Sequence, residues 1–250
     1  MSAQLPSAPS GRLPLRFSDL LLILILTLGS ARLLGFVVFG LAAPLLPLEQ
    51  PSETTMVSLI LVLLTLQTAI LLGSVYLVAV WWRGLSWSDL GLRSVPRSWY
   101  RKAVLVTLLA LALVGGINVI LRLIFEDIPT NPQFQIVAPA GFSWYSAIGI
   151  TVLAGTMVPF GEELVFRGVL YRWMRDRWGV ALGAVASALC FSVLHGIPWL
   201  VPPIAALGVI LALVYEKSGS VWPAVIVHGL YNATVSIALY VALAQGIELQ

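Results

Sequence analysis

The sequence predicts an all-α fold: a polytopic transmembrane helical bundle of about seven spans around an intramembrane polar cavity. Three observations predict it. Of the 250 residues, 59% are apolar and only 10% charged, against about a quarter charged in a soluble domain. Mean hydropathy is +0.97, and apolar runs near the ~20 residues that cross a bilayer recur along the whole length. The only two histidines and the only double glutamate fall in or at the edges of those runs, all in the C-terminal half. Helices are the expected element because each satisfies its own backbone in lipid, where an open sheet edge stays unpaired.

The elements follow in chain order. The opening MSAQLPSAPSG is polar and proline-bearing, so residues 1–17 are expected to form a disordered cytoplasmic tail. Arg12 and Arg16 precede an apolar run from Leu20 to Leu28, followed by Gly29, Ser30 and Ala31, which is the outline of a cleavable signal. Apolar character resumes after Arg32 and reaches about Leu46, so the segment reads as a retained first span, 18–43. Further spans are expected at 56–82, 102–125, 144–164, 180–196, 203–215 and 221–244. The sixth is short and begins at Pro202-Pro203. Residues 18–143 form the N-terminal helices and 144–245 a second group that carries the chemistry.

Charge sets the sidedness. Arg12, Arg16, Arg83, Arg93, Arg97, Arg101, Lys102, Arg167, Arg172, Arg175, Arg177 and Lys217 all fall on one side if the chain crosses alternately. The opposite loops carry Glu49, Glu53, Glu126, Asp127 and Glu248 and no lysine or arginine. This positive-inside pattern places the N-terminus in the cytoplasm and the C-terminus outside. The nine tryptophans lie near expected span ends, as interfacial anchors do. Cys190 is the only cysteine, which excludes an intrachain disulfide or a cysteine-built zinc site.

A charge at the bilayer centre costs about 2.5–3.5 kcal/mol on insertion scales, so intramembrane ionisable groups point to function. Three clusters qualify. In Glu162-Glu163-x-x-x-Arg167, Glu163 and Arg167 are four apart and can pair on one helix face. Glu162 points about 100° away and has no local partner, so one carboxylate is neutralised and the other is left free for general-base work. A structural ion pair at a helix end explains Glu163 and Arg167 equally well, but not Glu162. In Phe191-x-x-x-His195 the histidine reads either as a satisfied core residue or as a site group. In His228-x-x-x-Asn232 both side chains share one face, as an interhelical hydrogen-bond pair or as groups that hold a water or an oxyanion. Helices four, five and seven converging would set Glu162, His195, His228 and Asn232 around one water. Hydrolysis of an acyl bond, a peptide bond above all, fits that set.

These residues resemble a known family. EELVFR matches an EExxxR motif, FSVLH an FxxxH motif and HGLYN an HxxxN motif, in that order. The trio resembles the signature of the CAAX protease and bacteriocin-processing (CPBP) intramembrane endopeptidases, which include the type II CAAX prenyl endopeptidases. The resemblance covers roughly residues 145 to 240. The segment SWSDLGLR, Ser86 to Arg93, looks like one often seen upstream in that family. The resemblance implies a helical bundle with a water-filled cavity and Glu162 as the base, with His195 taking part. It implies that His228 and Asn232 serve the oxyanion or position the water, and that Glu163, Arg167 and Phe191 support them.

The family has been described both as metallo- and as glutamate-type. A zinc ion would take His195, His228 and Glu162 or Glu163, but the chain has no HExxH helix, and zinc would consume a candidate base. No cofactor is favoured. The expected partners are the lipid bilayer and a membrane-embedded or lipidated peptide or protein, with no nucleic acid, and the expected location is a prokaryotic cytoplasmic membrane. Two other classes compete: an ion- or proton-coupled transporter using the same polar groups, and an immunity-type protein that binds a membrane peptide without cutting it.

Overall fold

A computed structural model describes residues 12–36, 52–125, 128–129, 131–138 and 141–247. The described residues are helical, with no strand. They form α1 (Phe17–Gly35), α2 (Glu53–Val75), α3 (Ser98–Ile124), α4 (Pro132–Val137), α5 (Trp144–Gly155), α6 (Met157–Glu163), α7 (Arg172–Val193), α8 (Val201–Ser218) and α9 (Val221–Ala244). Two π-helical stretches continue helices without a break, Tyr76–Trp82 after α2 and Leu164–Tyr171 between α6 and α7.

Five stretches among the described residues are long and apolar enough to cross a membrane: Glu53–Trp82, Ser98–Ile124, Trp144–Val193, Pro198–Ser218 and Val221–Ala244. A shorter apolar helix covers Phe17–Ser30, and the rest of the expected first span, 37–43, lies outside the described residues. The expected span 144–164 and most of 180–196 fall within the single 50-residue stretch Trp144–Val193. It is folded, not straight. Thr156 departs from helical geometry between α5 and α6. At Gly179, φ is 80°, a left-handed value that glycine adopts without a steric cost. The chain turns so sharply there that a Cβ on Gly183 would lie 2.8 Å from the Arg175 backbone, residues that a straight helix would hold about 12 Å apart. Large apolar side chains such as Leu109, Leu123 and Trp81 are exposed on the outer surface, as a lipid-facing bundle requires. The protein is an integral, multi-pass membrane protein.

The packing order positions the site. α9 packs against α3, α5 and α6, and α7 packs against α8. Glycines set the close crossings. A Cβ on Gly229 would lie 2.2 Å from the Gly155 carbonyl oxygen, and one on Gly208 would lie 2.8 Å from the Ala188 Cβ. α9 and α5 therefore meet backbone to backbone one residue after His228.

Two expectations change at the basic end of the bundle. Residues 1–11 lie outside the described residues, but 12–16 are bound to the bundle. Leu13 and Leu15 are buried. The Leu13 N–H donates to Asp176 and the Trp173 indole N–H donates to the Leu15 carbonyl. The expected tail is therefore tied down before α1 begins. Asp19 then takes the Arg16 N–H at 2.7 Å and pairs with Arg83 at 2.6 Å, which joins the start of α1 to the end of the second span. Trp99 and Trp173 are buried packing residues rather than interfacial anchors. Of the acidic outer-loop residues, Glu49, Glu126, Asp127 and Glu248 lie outside the described residues.

Candidate active site

Glu162 and Glu163 close α6, where the helix passes into its π-helical stretch. Wide turns of this kind recur at functional sites because they re-aim side chains. The i,i+4 pair forms as the spacing requires: Arg167 Nη1 donates to Glu163 Oε1 at 2.9 Å. Both side chains are almost fully buried. Arg167 Nη2 also donates to the Gly208 carbonyl of α8 at 3.0 Å, and the guanidinium lies 4.8 Å over the Phe191 ring. The charge is thus held by a carboxylate, a carbonyl and an aromatic face from three helical segments. A buried pair of this kind costs desolvation, and its geometry must be good to offset that cost.

His228 joins the pair. Its Nδ1–H donates to Glu163 Oε1 at 2.8 Å. A carboxylate can only accept, so the proton sits on Nδ1 and Nε2 is left for other work. Nε2 lies 3.8 Å from Glu162 Oε2. Glu162 is not sealed in: its side chain is 17% exposed, whereas that of Glu163 is 0%. The local reading from spacing, one glutamate tied and one untied, therefore holds. The partner that spacing could not reveal is His228, which binds the tied glutamate from 65 residues away.

His195 lies just past the C-terminal end of α7. Its Nδ1–H donates to the Phe191 carbonyl at 2.8 Å, one of the carbonyls that a helix end leaves without a partner. That bond also leaves Nε2 of His195 as the unengaged ring nitrogen. The Phe191 ring touches both imidazoles edge-on, with centroids 4.9 Å from His195 and 5.8 Å from His228. Phe191 is thus the common wall for both histidines and Arg167. Asn232, one turn after His228, donates from Nδ2 to the Ala154 carbonyl at 3.2 Å. Ala154 lies two residues before the interruption at Thr156, so Asn232 ties α9 to the broken end of α5.

Among the described residues no three His, Cys, Asp or Glu side chains converge on one point. Glu163 Oε1 and His228 Nδ1 are joined to each other, and His195 Nδ1 is joined to a carbonyl.

Residues 143–234 match the family model for type II CAAX prenyl endopeptidase Rce1-like proteins. The resemblance carried by the three motifs is borne out. The matched segment runs from the start of α5 to beyond Asn232, so it contains every residue of the constellation. A similar protein is the UPF0177 protein YbdI of Lactococcus lactis subsp. lactis (strain IL1403), 31% identical over 115 residues. That alignment covers 46% of this chain and 58% of the relative. No solved structure gives a significant match.

Proposed function

We propose that this chain is an intramembrane endopeptidase that hydrolyses a peptide bond in or near the bilayer with a glutamate-activated water. The observation that carries the reading is the division of labour between adjacent glutamates: Glu163 is consumed by Arg167 and His228, while Glu162 stands untied and partly open, 3.8 Å from the unengaged nitrogen of the same histidine. A water within about 2.8 Å of both Glu162 Oε2 and His228 Nε2 would donate one proton to each and keep a lone pair for attack. Glu162 then takes the proton as the new C–O bond forms.

The other residues take the roles that remain. Glu163, anchored by Arg167, fixes the His228 tautomer and ring orientation. His195, with Nδ1–H held by the Phe191 carbonyl, presents Nε2 to carry a proton to the leaving amine. Asn232 has a second amide N–H beyond the one given to Ala154, available to a developing oxyanion. No step is routed through a metal. The substrate class is a membrane-embedded or lipidated peptide, the membrane is a prokaryotic cytoplasmic one, and the positive-inside pattern supports a cytoplasmic position for the basic end of the bundle.

Reconstitution of the purified chain with membrane peptides tests the class of activity. The reading expects peptide cleavage and no proton or ion flux. Flux through sealed liposomes with every peptide left intact would replace it with the transporter reading.

A further inference from the structure

The segment Ser86 to Arg93 is not used by the hydrolytic site, yet it is built with care. Asp89 closes a turn by accepting from the Ser86 N–H at 2.9 Å and from the Ser86 hydroxyl at 2.6 Å. Gly91 has φ 89°, and a Cβ there would lie 2.7 Å from the Tyr215 ring, so the chain needs glycine at that point. The turn is then clamped to the start of α9: the Val221 N–H donates to the Gly91 carbonyl at 2.9 Å and the Ser220 hydroxyl to the Arg93 carbonyl at 2.7 Å.

This clamping fixes Arg93 at the edge of a cavity of about 340 Å³ lined by Leu92, Arg93, Ser94 and Val95, by Tyr100 at the start of α3, and by Trp222 and Ile226 on α9. The Arg93 Nε–H donates to the Ser88 carbonyl at 2.7 Å. Its two terminal nitrogens make no hydrogen bond among the described residues. Asp89, whose carboxylate feels the Arg93 charge, is already held by Ser86. Tyr100 and Trp222 are both partly exposed, and amphipathic rings of this kind sit at head-group depth. Arg97, Arg101 and Lys102 follow in the chain and are exposed, so this end of α3 is basic.

We infer that this cavity binds the phosphate of an anionic phospholipid head group, with the Arg93 fork on the phosphate oxygens and the Trp222 and Tyr100 rings against the glycerol and first methylenes. A planar guanidinium with both ends unengaged matches phosphate geometry, and basic pockets between spans on the cytoplasmic side suit anionic head groups. The inference is independent of the hydrolytic reading.

The test uses the full chain in nanodiscs of phosphatidylcholine doped with phosphatidylglycerol, with retained lipid counted by native mass spectrometry. The wild type should retain phosphatidylglycerol, Arg93→Gln should retain roughly fivefold less, Arg93→Lys should recover part of it, and Arg122→Gln, at the other end of α3, should match the wild type. Thermal unfolding of each variant separates loss of the site from loss of the fold. Equal retention by Arg93→Gln and the wild type would overturn the site. Stabilisation by inorganic phosphate alone, dependent on Arg93 and with no lipid retained, would show a free-anion site and overturn the lipid assignment. Displacement of the lipid by a peptide carboxylate, but not by phosphate, would assign the cavity to substrate instead.

Discussion

His228 and Glu163 are bound to each other through a 2.8 Å hydrogen bond from Nδ1 to Oε1, although 65 residues separate them in the chain. Arg167 takes the same carboxylate oxygen at 2.9 Å. One buried oxygen thus fixes both a cation and an imidazole and ties α9 to the end of α6.

Removing the carboxylate charge should be expensive. Glu163→Gln leaves Arg167 buried without its counter-ion, and the expected loss is about 3–5 kcal/mol of stability. Replacing both residues by methionine removes the uncompensated charge. The double variant should therefore lose clearly less than the sum of Glu163→Met and Arg167→Met. Thermal or denaturant unfolding in detergent, arranged as a double-mutant cycle, measures the coupling.

Gly229 should not tolerate even a methyl group. A Cβ there meets the Gly155 backbone at 2.2 Å, and helix α9 would have to move away from α5, carrying His228 and Asn232 with it. The expected cost of Gly229→Ala is about 1–3 kcal/mol, with loss of activity. Gly115→Ala is the control, because nothing lies within 4 Å of that Cβ. It should be neutral or gain up to about 1 kcal/mol from helix propensity. Unfolding curves of the two variants decide the matter.

Much of this was legible in the chain. The i,i+4 spacing gave the Glu163–Arg167 pair and left Glu162 over, and hydropathy gave the apolar segments. What was not legible depends on contacts distant in sequence. Nothing near His228 announces Glu163, and no side-chain pattern announces the Gly208 carbonyl that holds Arg167. Hydropathy read separate spans at 144–164 and 180–196, and the reversal at Gly179 keeps them apart, although nothing in the composition marks that glycine as the turning point. Burial of Trp99 and Trp173 escaped for the same reason: an indole near a span end has one sequence signature whether it faces lipid or protein.

The loop that holds Arg93 should resist acid. The Ser86 hydroxyl and N–H hold the Asp89 carboxylate below its ordinary pKa of 3.8, helped by the positive charges of Arg93 and Arg172. A lowered folded-state pKa means that this contribution is fully present above the unfolded value, near 4, and is lost as pH falls through the lower folded one. Trp87 stacks on Tyr76 with centroids 6.3 Å apart and reports on the loop. Its fluorescence should stay constant as pH falls to about 4 and change only below. Ser86→Ala should move that change to higher pH. An unmoved transition would show that Ser86 does not hold the carboxylate.

The central claim is that Glu162 activates the water. The most direct measurement is mass spectrometry of membrane peptides from cells carrying the wild type or Glu162→Gln, with the variant shown to be folded by its unfolding curve. The account predicts cleavage products that are present with the wild type and absent with a folded Glu162→Gln protein. Undiminished cleavage by that variant would contradict it.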